Sequence, residues 1–156
     1  MEKKKDLSEY DLSSMPQARG KKIALVVAQW NEEITGAMAD ACAETLVKHG
    51  VKSSDIVRLS APGSFELPFV AKQSILKYNV NAVVCIGCII QGETRHFDFI
   101  AQATANGIMQ LGLEINVPVI FGVLTTNNMR QAIDRAGGKH GNKGIEAAVA
   151  CLKLMS

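Results

Sequence analysis

The sequence predicts a three-layer α/β domain, in which a parallel four-stranded sheet is covered by helices on both faces. From residue 21 onward, short apolar runs alternate with longer segments of helical periodicity. The runs 23–28 and 82–90 contain no polar side chain, which is typical of strands buried on both faces. Regular strand–helix alternation implies right-handed crossovers between parallel strands. The length of 156 residues fits a single domain.

The individual elements follow from periodicity and from the residues that start or stop them. Strands are expected at 23–28, 55–60, 82–90 and 117–124, and helices at 32–49, 64–75, 96–112, 127–136 and 141–154. Gly50 stands where a glycine commonly follows a helix. Ser64 is expected to cap the second helix. Pro68 falls in the first turn of that helix, where the backbone amides lack internal partners.

Composition and charge exclude several classes of partner. Hydrophobic residues make up 47% of the chain and charged residues 21%, as in an ordinary folded domain. The net charge is only +2, so neither a nucleic acid nor a membrane surface is expected as a partner. Residues 1–20 are polar and are expected to form an N-terminal arm outside the core, with residues 21–156 as one domain. The start, Met1–Asp6, has charge but no apolar stretch behind it, which predicts a solvated tail, no signal peptide and a cytoplasmic protein.

Two motifs have the spacing of well-known sites but are expected to be structural. Cys85 and Cys88 have the spacing of redox and zinc sites, yet three residues along a strand send the two thiols to opposite faces. All four cysteines are therefore expected to be free and mostly buried, and no metal site is predicted. The run 87–94 has P-loop spacing, but Glu93 occupies the place of the lysine that contacts the phosphates.

Functional residues are expected beyond the carboxyl ends of the strands, where parallel sheets bind their ligands. Trp30, Phe65 and Phe121 stand near three predicted strand ends in a chain with only 5% aromatic residues. They indicate a pocket for a flat ring, and core packing is the alternative for each of them. Glu66 either complements the dipole of the helix that follows it or accepts hydrogen bonds from a polyol.

One histidine and one basic cluster are the remaining candidates for chemistry. His96 follows the longest strand and is expected to accept a proton. Thr94 can cap the next helix, either as a plain cap or beside first-turn amides that bind an anion. Arg135 and Lys143 belong to a basic cluster that is either an anion clamp or a solvated turn. His49, in the last turn of a helix, is expected to be structural.

Four longer motifs occur in order along the chain: PGSFELP at 62–68, GETRHFD at 92–98, FGVLT at 121–125 and RAGGKHGNKG at 135–144. Together they resemble the 6,7-dimethyl-8-ribityllumazine synthase family from about residue 20 to the C-terminus. The resemblance implies a flavodoxin-like sheet and the penultimate step of riboflavin synthesis. In that step 5-amino-6-(D-ribitylamino)uracil condenses with 3,4-dihydroxy-2-butanone 4-phosphate, and phosphate and water are released. Neither a metal nor an organic cofactor is implied.

The resemblance also implies a role for each candidate residue. His96 would move protons during imine formation and phosphate loss. The phosphate would be bound by the turn at Glu93 and Thr94 and by Arg135 of a neighbouring subunit. The pyrimidine ring and the ribityl chain would be held by Trp30, Ser64, Phe65, Glu66, Ile89 and Ile90, and by Phe121 and Lys143 of that neighbour. The chain departs from the family at Trp30, Gln91 and Glu93, where phenylalanine, arginine and a small residue are more common.

A site shared between subunits implies a homo-oligomer. The resemblance implies a pentamer, and the short connection between Arg135 and Lys143 favours twelve pentamers closing into an icosahedral 60-mer, with riboflavin synthase as a further partner. Two alternatives remain open at this point. An archaeal-type riboflavin synthase would dismutate two lumazines without a phosphate substrate, and a flavin- or lumazine-binding cage protein would have no activity. The presence of His96 and Arg135 together favours an enzyme.

Overall fold

The computed structural model describes residues 6–156, so the tail predicted at Met1–Lys5 lies outside the described residues. The strands are β1 (Ile23–Ala28), β2 (Ile56–Ala61), β3 (Ala82–Ile90), β4 (Val119–Thr126), β5 (Ala136–Gly138) and β6 (Gly141–Asn142). The helices are α1 (Glu32–Lys48), α2 (Leu67–Tyr78), α3 (His96–Ile115), α4 (Met129–Asp134) and α5 (Lys143–Met155). The first four strands form one parallel sheet in the order β2–β1–β3–β4, which confirms the predicted α/β architecture. Within residues 6–156, no helix is long and apolar enough to cross a membrane.

Two apolar cores lie on the two faces of the sheet, and they define its three layers. The first core is formed with α1 and α5 and includes Met38, Leu46 and Leu152. The second is formed with α2 and α3 and includes Leu67 and Ile108. Successive residues of β1 alternate between the cores, as the period of a strand requires. The long apolar runs of the sequence therefore result from strands that have no solvent-facing side.

The cysteines are placed as the strand geometry predicts. Cys85 belongs to the second core and Cys88 to the first, so their thiols point to opposite faces. All four cysteines are free and buried. Burial raises the pKa of the Cys85 thiol to about 12 and that of Cys88 to about 11, because a thiolate is poorly solvated there. These thiols are poor nucleophiles in the folded protein.

The buried thiols lead to a first testable expectation. In the folded protein at pH 8, iodoacetamide is expected to modify none of the four cysteines, whereas all four react in denaturant. Intact mass spectrometry before and after denaturation measures the alkylation. Rapid modification of Cys85 without denaturation would contradict the structure.

The raised thiol pKa values also make the stability of the fold depend on pH. Because folding keeps the thiols protonated, the stability they contribute is complete below their ordinary pKa of 9.0 and is lost as the pH rises above it.

The fourth strand begins later than the sequence predicts. Helix α3 continues to Ile115 and ends at Asn116, whose φ of 58° is left-handed, a conformation that asparagine tolerates. The strand therefore runs over Val119–Thr126 instead of 117–124. In consequence Phe121 is the third residue of β4 and pairs with Cys85, so its predicted position near the end of the strand is wrong.

The prediction that Ser64 caps the second helix is also wrong. Ser64–Glu66 forms a separate 3-10 turn before α2, and Ser64 is buried. The turn is closed by Glu66, whose Oε2 accepts a hydrogen bond from the Gly63 amide at 3.2 Å. Pro68 lies in the first turn of α2, as expected.

A short antiparallel hairpin of β5 and β6 separates α4 from α5, where the sequence predicts two longer helices. Gly137 has a φ of 106° and Gly141 a φ of 87°, and side chains other than glycine rarely adopt these values. The glycine-rich segment therefore turns back on itself, and the helices are shortened to Met129–Asp134 and Lys143–Met155.

The N-terminal segment packs against the body of the domain from Asp6 onward. Met15 and Ala18 are buried in the first core, so the expectation that residues 1–20 lie outside the core is wrong for these two. The Tyr10 hydroxyl lies 2.9 Å from Nε2 of His49, and His49 is buried. The structural role predicted for His49 agrees with this position.

Candidate functional site

A cleft of about 370 Å³ lies at the carboxyl ends of β1, β2 and β3, where a parallel sheet is expected to bind its ligand. Its walls are formed by Trp30, Asn31, Ser64, Phe65, Glu66, Cys88, Ile89, Ile90, His96 and Ile100. Seven of these ten are among the catalytic and substrate-binding residues predicted from the sequence. A larger hollow of about 550 Å³ lies between α1 and β2, but neither an aromatic ring nor a histidine lines it.

Trp30 is positioned by the chain segments that follow two neighbouring strands. Its amide donates to the Pro62 carbonyl at 3.1 Å, and the Gln29 amide donates to Ala61 at 2.8 Å. The pairing between β1 and β2 thus continues beyond the sheet. The indole lies against Gly63, because a Cβ at that position would come under 3.0 Å from ring atoms of Trp30. Trp30 is 67% exposed, so its indole remains accessible to a ligand.

The turn after β2 brings a hydroxyl and a carboxylate to the cleft. Gly87 of β3 allows Ser64 to approach the strand closely, since a Cβ at Gly87 would lie only 2.5 Å from the Ser64 Oγ. Glu66 closes the turn through one carboxylate oxygen. Within residues 6–156, Gly63 is the one donor to that carboxylate, so the second oxygen is available to a ligand. Glu66 therefore has a structural role at the start of α2, and its role in binding a polyol stays a prediction.

His96 is the first residue of α3, and it is exposed while lining the cleft. Its amide points to the Thr94 Oγ1 at 3.4 Å, a long hydrogen bond that makes Thr94 a weak cap. Arg95 occupies the N-cap position itself. Glu93 and Thr94 are exposed in the loop between β3 and α3, next to the cleft but outside its lining.

Phe121, Arg135 and Lys143 do not line the cleft of their own chain. Phe121 lies in the amino-terminal half of β4. Arg135 follows α4 and Lys143 begins α5, a helix that packs on the first core. A single chain therefore brings Trp30 and Phe65 together with His96, but it brings neither Phe121 nor the predicted anion clamp to this cleft.

The basic cluster is organised around a carboxylate that the sequence analysis missed. Arg135 forms an ion pair with Glu146 and donates to the His140 carbonyl at 2.8 Å. The Nζ of Lys143 lies 3.8 Å from the other oxygen of Glu146. The Arg135 side chain is only 16% exposed, so it is not part of a solvated turn. The three-residue spacing between Lys143 and Glu146 could have predicted this ion pair, because residues three apart on a helix are neighbours.

Asn31 is a second residue of the cleft that the sequence analysis missed. It has a φ of 62°, and its side-chain amide donates to the Cys88 carbonyl at 3.1 Å, which ties the end of β1 to β3. In the sequence, only its position directly after Trp30 indicated that Asn31 could line the cleft. Within the part of the chain that the structure describes, no three His, Cys, Asp or Glu residues are grouped as metal ligands. The cleft thus offers an exposed ring, the apolar side chains of Ile89 and Ile90, a free carboxylate oxygen and an imidazole.

The chain is similar to known proteins of one family over most of its length. Residues 20–156 match the family described as 6,7-dimethyl-8-ribityllumazine synthase. A protein of that name from Cytophaga hutchinsonii is 51% identical over 97% of this chain and 95% of its own length. Proteins of the same name from Flavobacterium johnsoniae and Phocaeicola vulgatus are 48% and 46% identical, over 96% of this chain and 79% and 89% of their own lengths.

Proposed function

Since the chain belongs to the 6,7-dimethyl-8-ribityllumazine synthase family, we propose that it condenses 5-amino-6-(D-ribitylamino)uracil with 3,4-dihydroxy-2-butanone 4-phosphate. The products are 6,7-dimethyl-8-ribityllumazine, phosphate and water, so the protein is a transferase of riboflavin biosynthesis. The cleft at the strand ends is the observation that supports this function, because it holds two aromatic rings, an apolar floor and His96 within about 370 Å³. We place the reaction in the cytoplasm.

The pyrimidine substrate fits the cleft by its chemistry. Trp30 is the single tryptophan of the chain, and its exposed indole can stack on the flat ring. Ile89 and Ile90 form the apolar floor beneath it. Phe65, together with the Ser64 hydroxyl and the free oxygen of Glu66, faces the ribityl chain, whose hydroxyls need both donors and acceptors.

His96 is proposed to transfer protons in two steps of the reaction. The amine nitrogen of the uracil attacks the ketone carbon, and the resulting carbinolamine loses water to form an imine. A proton then leaves the neighbouring carbon while the carbon–oxygen bond to phosphate breaks. An imidazole can accept and donate protons in both steps near neutral pH.

The phosphate is proposed to bind at the amino end of α3. Backbone amides at Glu93 and Thr94, the Thr94 hydroxyl and the free amides of the first turn supply donors to an anion. The Glu93 side chain is exposed, so it can point to solvent while its backbone faces the phosphate. Arg135 of a neighbouring subunit would complete this site, with Phe121 and Lys143 of the same neighbour beside the ring.

Exposed apolar side chains support the proposed assembly. Five residues on α2 and α3 are at least 61% exposed in the single chain, namely Phe69, Leu76, Phe99, Met109 and Leu113. Covering these side chains with a neighbouring subunit would remove apolar surface from water, which favours association. A pentamer of the 16.8 kDa chain has a mass of about 84 kDa and a 60-mer about 1,000 kDa. We propose the pentamer, its closure into a 60-mer, and riboflavin synthase as a further partner, and light scattering distinguishes the two masses.

One assay tests the proposed reaction. The uracil diamine and the butanone phosphate are mixed with the protein, and lumazine absorbance and orthophosphate are followed together. The proposal requires both products to appear in equal amounts. The mixture holds no lumazine for a riboflavin synthase to dismutate, so either a riboflavin synthase or a binding protein would release no orthophosphate.

Replacing Gly63 by alanine is expected to weaken binding of the diamine about tenfold, because base stacking on an aromatic ring contributes about 1–3 kcal/mol. The φ of −142° at Gly63 suits alanine, so the added methyl acts on the Trp30 indole. The KM of the diamine and the fluorescence of Trp30 measure the effect. Gly36→Ala is the matched control, since its methyl meets nothing within 4 Å. If Gly63→Ala binds the diamine as well as the unmodified protein does, Trp30 does not stack on the pyrimidine ring.

A further inference from the structure

Three N-terminal residues, Asp6–Ser8, attach the start of the described chain to the β5–β6 hairpin, and we call them the N-terminal clip. The Leu7 amide donates to the His140 carbonyl at 3.2 Å. The Asn142 amide donates to the Ser8 Oγ at 3.2 Å. Both hairpin partners are backbone groups, and Ser8 is only 7% exposed. The contact joins positions more than 130 residues apart in the chain.

Asp6 orients the Ser8 hydroxyl for its hydrogen bond with the Asn142 amide. The Ser8 amide and hydroxyl both donate to the Asp6 Oδ1, at 2.8 and 2.7 Å. The hydroxyl hydrogen is therefore used by Asp6, which leaves an oxygen lone pair for the Asn142 amide. The two Ser8 hydrogen bonds hold the pKa of the Asp6 carboxyl below its usual range, and the positive charge of Arg135 acts in the same direction. Gly141 makes room for the clip, because a Cβ there would lie under 3.0 Å from both Asp6 and Ser8 oxygens.

The hairpin held by the clip is the one that holds Arg135. The His140 carbonyl accepts from the Leu7 amide and also from Nη1 of Arg135 at 2.8 Å. The Lys143 amide donates to the Arg135 carbonyl at 2.8 Å. A two-stranded hairpin of this size has little stability of its own. Among the described residues, two groups orient the Arg135 guanidinium, the His140 carbonyl and the Glu146 carboxylate. By holding the His140 carbonyl in place, the clip therefore holds one of them.

We propose that the N-terminal clip is a positioning element for Arg135, so that phosphate binding by Arg135 depends on Asp6 and Ser8 being docked on the hairpin. This inference rests on the proposed function, in which Arg135 binds the phosphate of the butanone substrate. Neither Asp6 nor Ser8 touches the substrate. Both act through the His140–Asn142 backbone.

The chain contains its own matched control. Asp11 and Ser13 repeat the local arrangement of Asp6 and Ser8, with the Ser13 amide and hydroxyl donating to the Asp11 Oδ1 at 3.0 and 2.7 Å. That pair is exposed and, among the described residues, forms no hydrogen bond to the hairpin. The test compares the double variant Asp6→Asn/Ser8→Ala with the double variant Asp11→Asn/Ser13→Ala, both in the full chain.

Three measurements are made on both variants and on the unmodified protein. Hydrogen–deuterium exchange follows the amides of 136–142, calorimetry gives the Kd of inorganic phosphate, and steady-state kinetics gives the KM of each substrate. In the clip variant we expect faster exchange in the hairpin. We also expect the phosphate Kd and the KM of the butanone phosphate to rise about two- to tenfold, as the loss of one net hydrogen bond predicts. The KM of the diamine and all values of the control variant should stay unchanged.

The outcomes separate the inference from the proposed function. Faster exchange with an unchanged phosphate Kd would show that the clip docks without positioning Arg135, and would overturn the inference. Equal increases in both KM values, or equal effects in the control variant, would overturn it as well. If the unmodified protein forms no lumazine, the proposed function fails, while exchange and phosphate affinity still decide whether the clip acts on Arg135.

Discussion

Replacing His96 by alanine is expected to lower kcat by about 10²–10⁴-fold, the usual contribution of a positioned acid–base group. Turnover should remain measurable, because the proposed site would still hold both reactants close together and oriented. His96 is exposed at the start of α3, so the variant should melt at the temperature of the unmodified protein. Stopped-flow or steady-state absorbance of lumazine formation measures the loss.

The pH profile is the decisive part of that experiment. Acid–base catalysis by a side chain makes the rate of the unmodified enzyme depend on pH. The alanine variant should lose this dependence together with most of its rate. Turnover equal to that of the unmodified enzyme across pH 5–8 would make His96 a structural residue.

Replacing Arg135 by alanine is expected to raise the KM of the butanone phosphate about ten- to hundredfold, because hydrogen bonds to charged groups contribute about 1.5–3 kcal/mol. The KM of the diamine should change little, since the diamine carries no phosphate. Arg135→Lys should recover only part of the affinity, because an ammonium cannot bind phosphate with two parallel hydrogen bonds.

Arg130 provides the control for this substitution. It lies on α4, close to Arg135 in the chain, and its side chain is 70% exposed and forms an ion pair with Asp134 at 3.6 Å. Arg130→Ala removes the same charge from the same region and should leave both KM values unchanged. Equal increases in the KM of both substrates for Arg135→Ala would mean that Arg135 stabilises the chain and does not bind phosphate.

Local sequence was sufficient to predict the four strands of the sheet, apart from the exact bounds of some, and many of the residues that line the cleft. The strand at 82–90 was predicted with the observed bounds, because a short run without polar side chains, rich in β-branched residues, is typical of a strand buried on both faces of a sheet. Trp30, Phe65 and His96 follow strands whose ends meet once the sheet forms. The parallel-sheet rule therefore brings them together without any long-range information.

Other features depend on contacts that no local pattern contains. The start of β4 was misjudged because Asn116 ends α3 later than expected, which also moved Phe121 away from the strand end. The hairpin at 136–142 requires left-handed backbone at Gly137 and Gly141, and its partner Ser8 lies at the other end of the chain. Glu146 was missed because its pairing with Arg135 depends on how α5 packs.

Mixing two defective variants tests the shared active site most directly. His96→Ala damages the cleft, and Arg135→Ala damages the residue proposed to reach a neighbour's cleft. If equal amounts of both chains assemble into the proposed pentamer, about a quarter of the sites combine an intact cleft with an intact neighbouring Arg135. Activity at low butanone phosphate should therefore rise to about a quarter of that of the unmodified enzyme. Activity equal to the mean of the two separate variants would mean that each site is built within one chain, which contradicts the shared site.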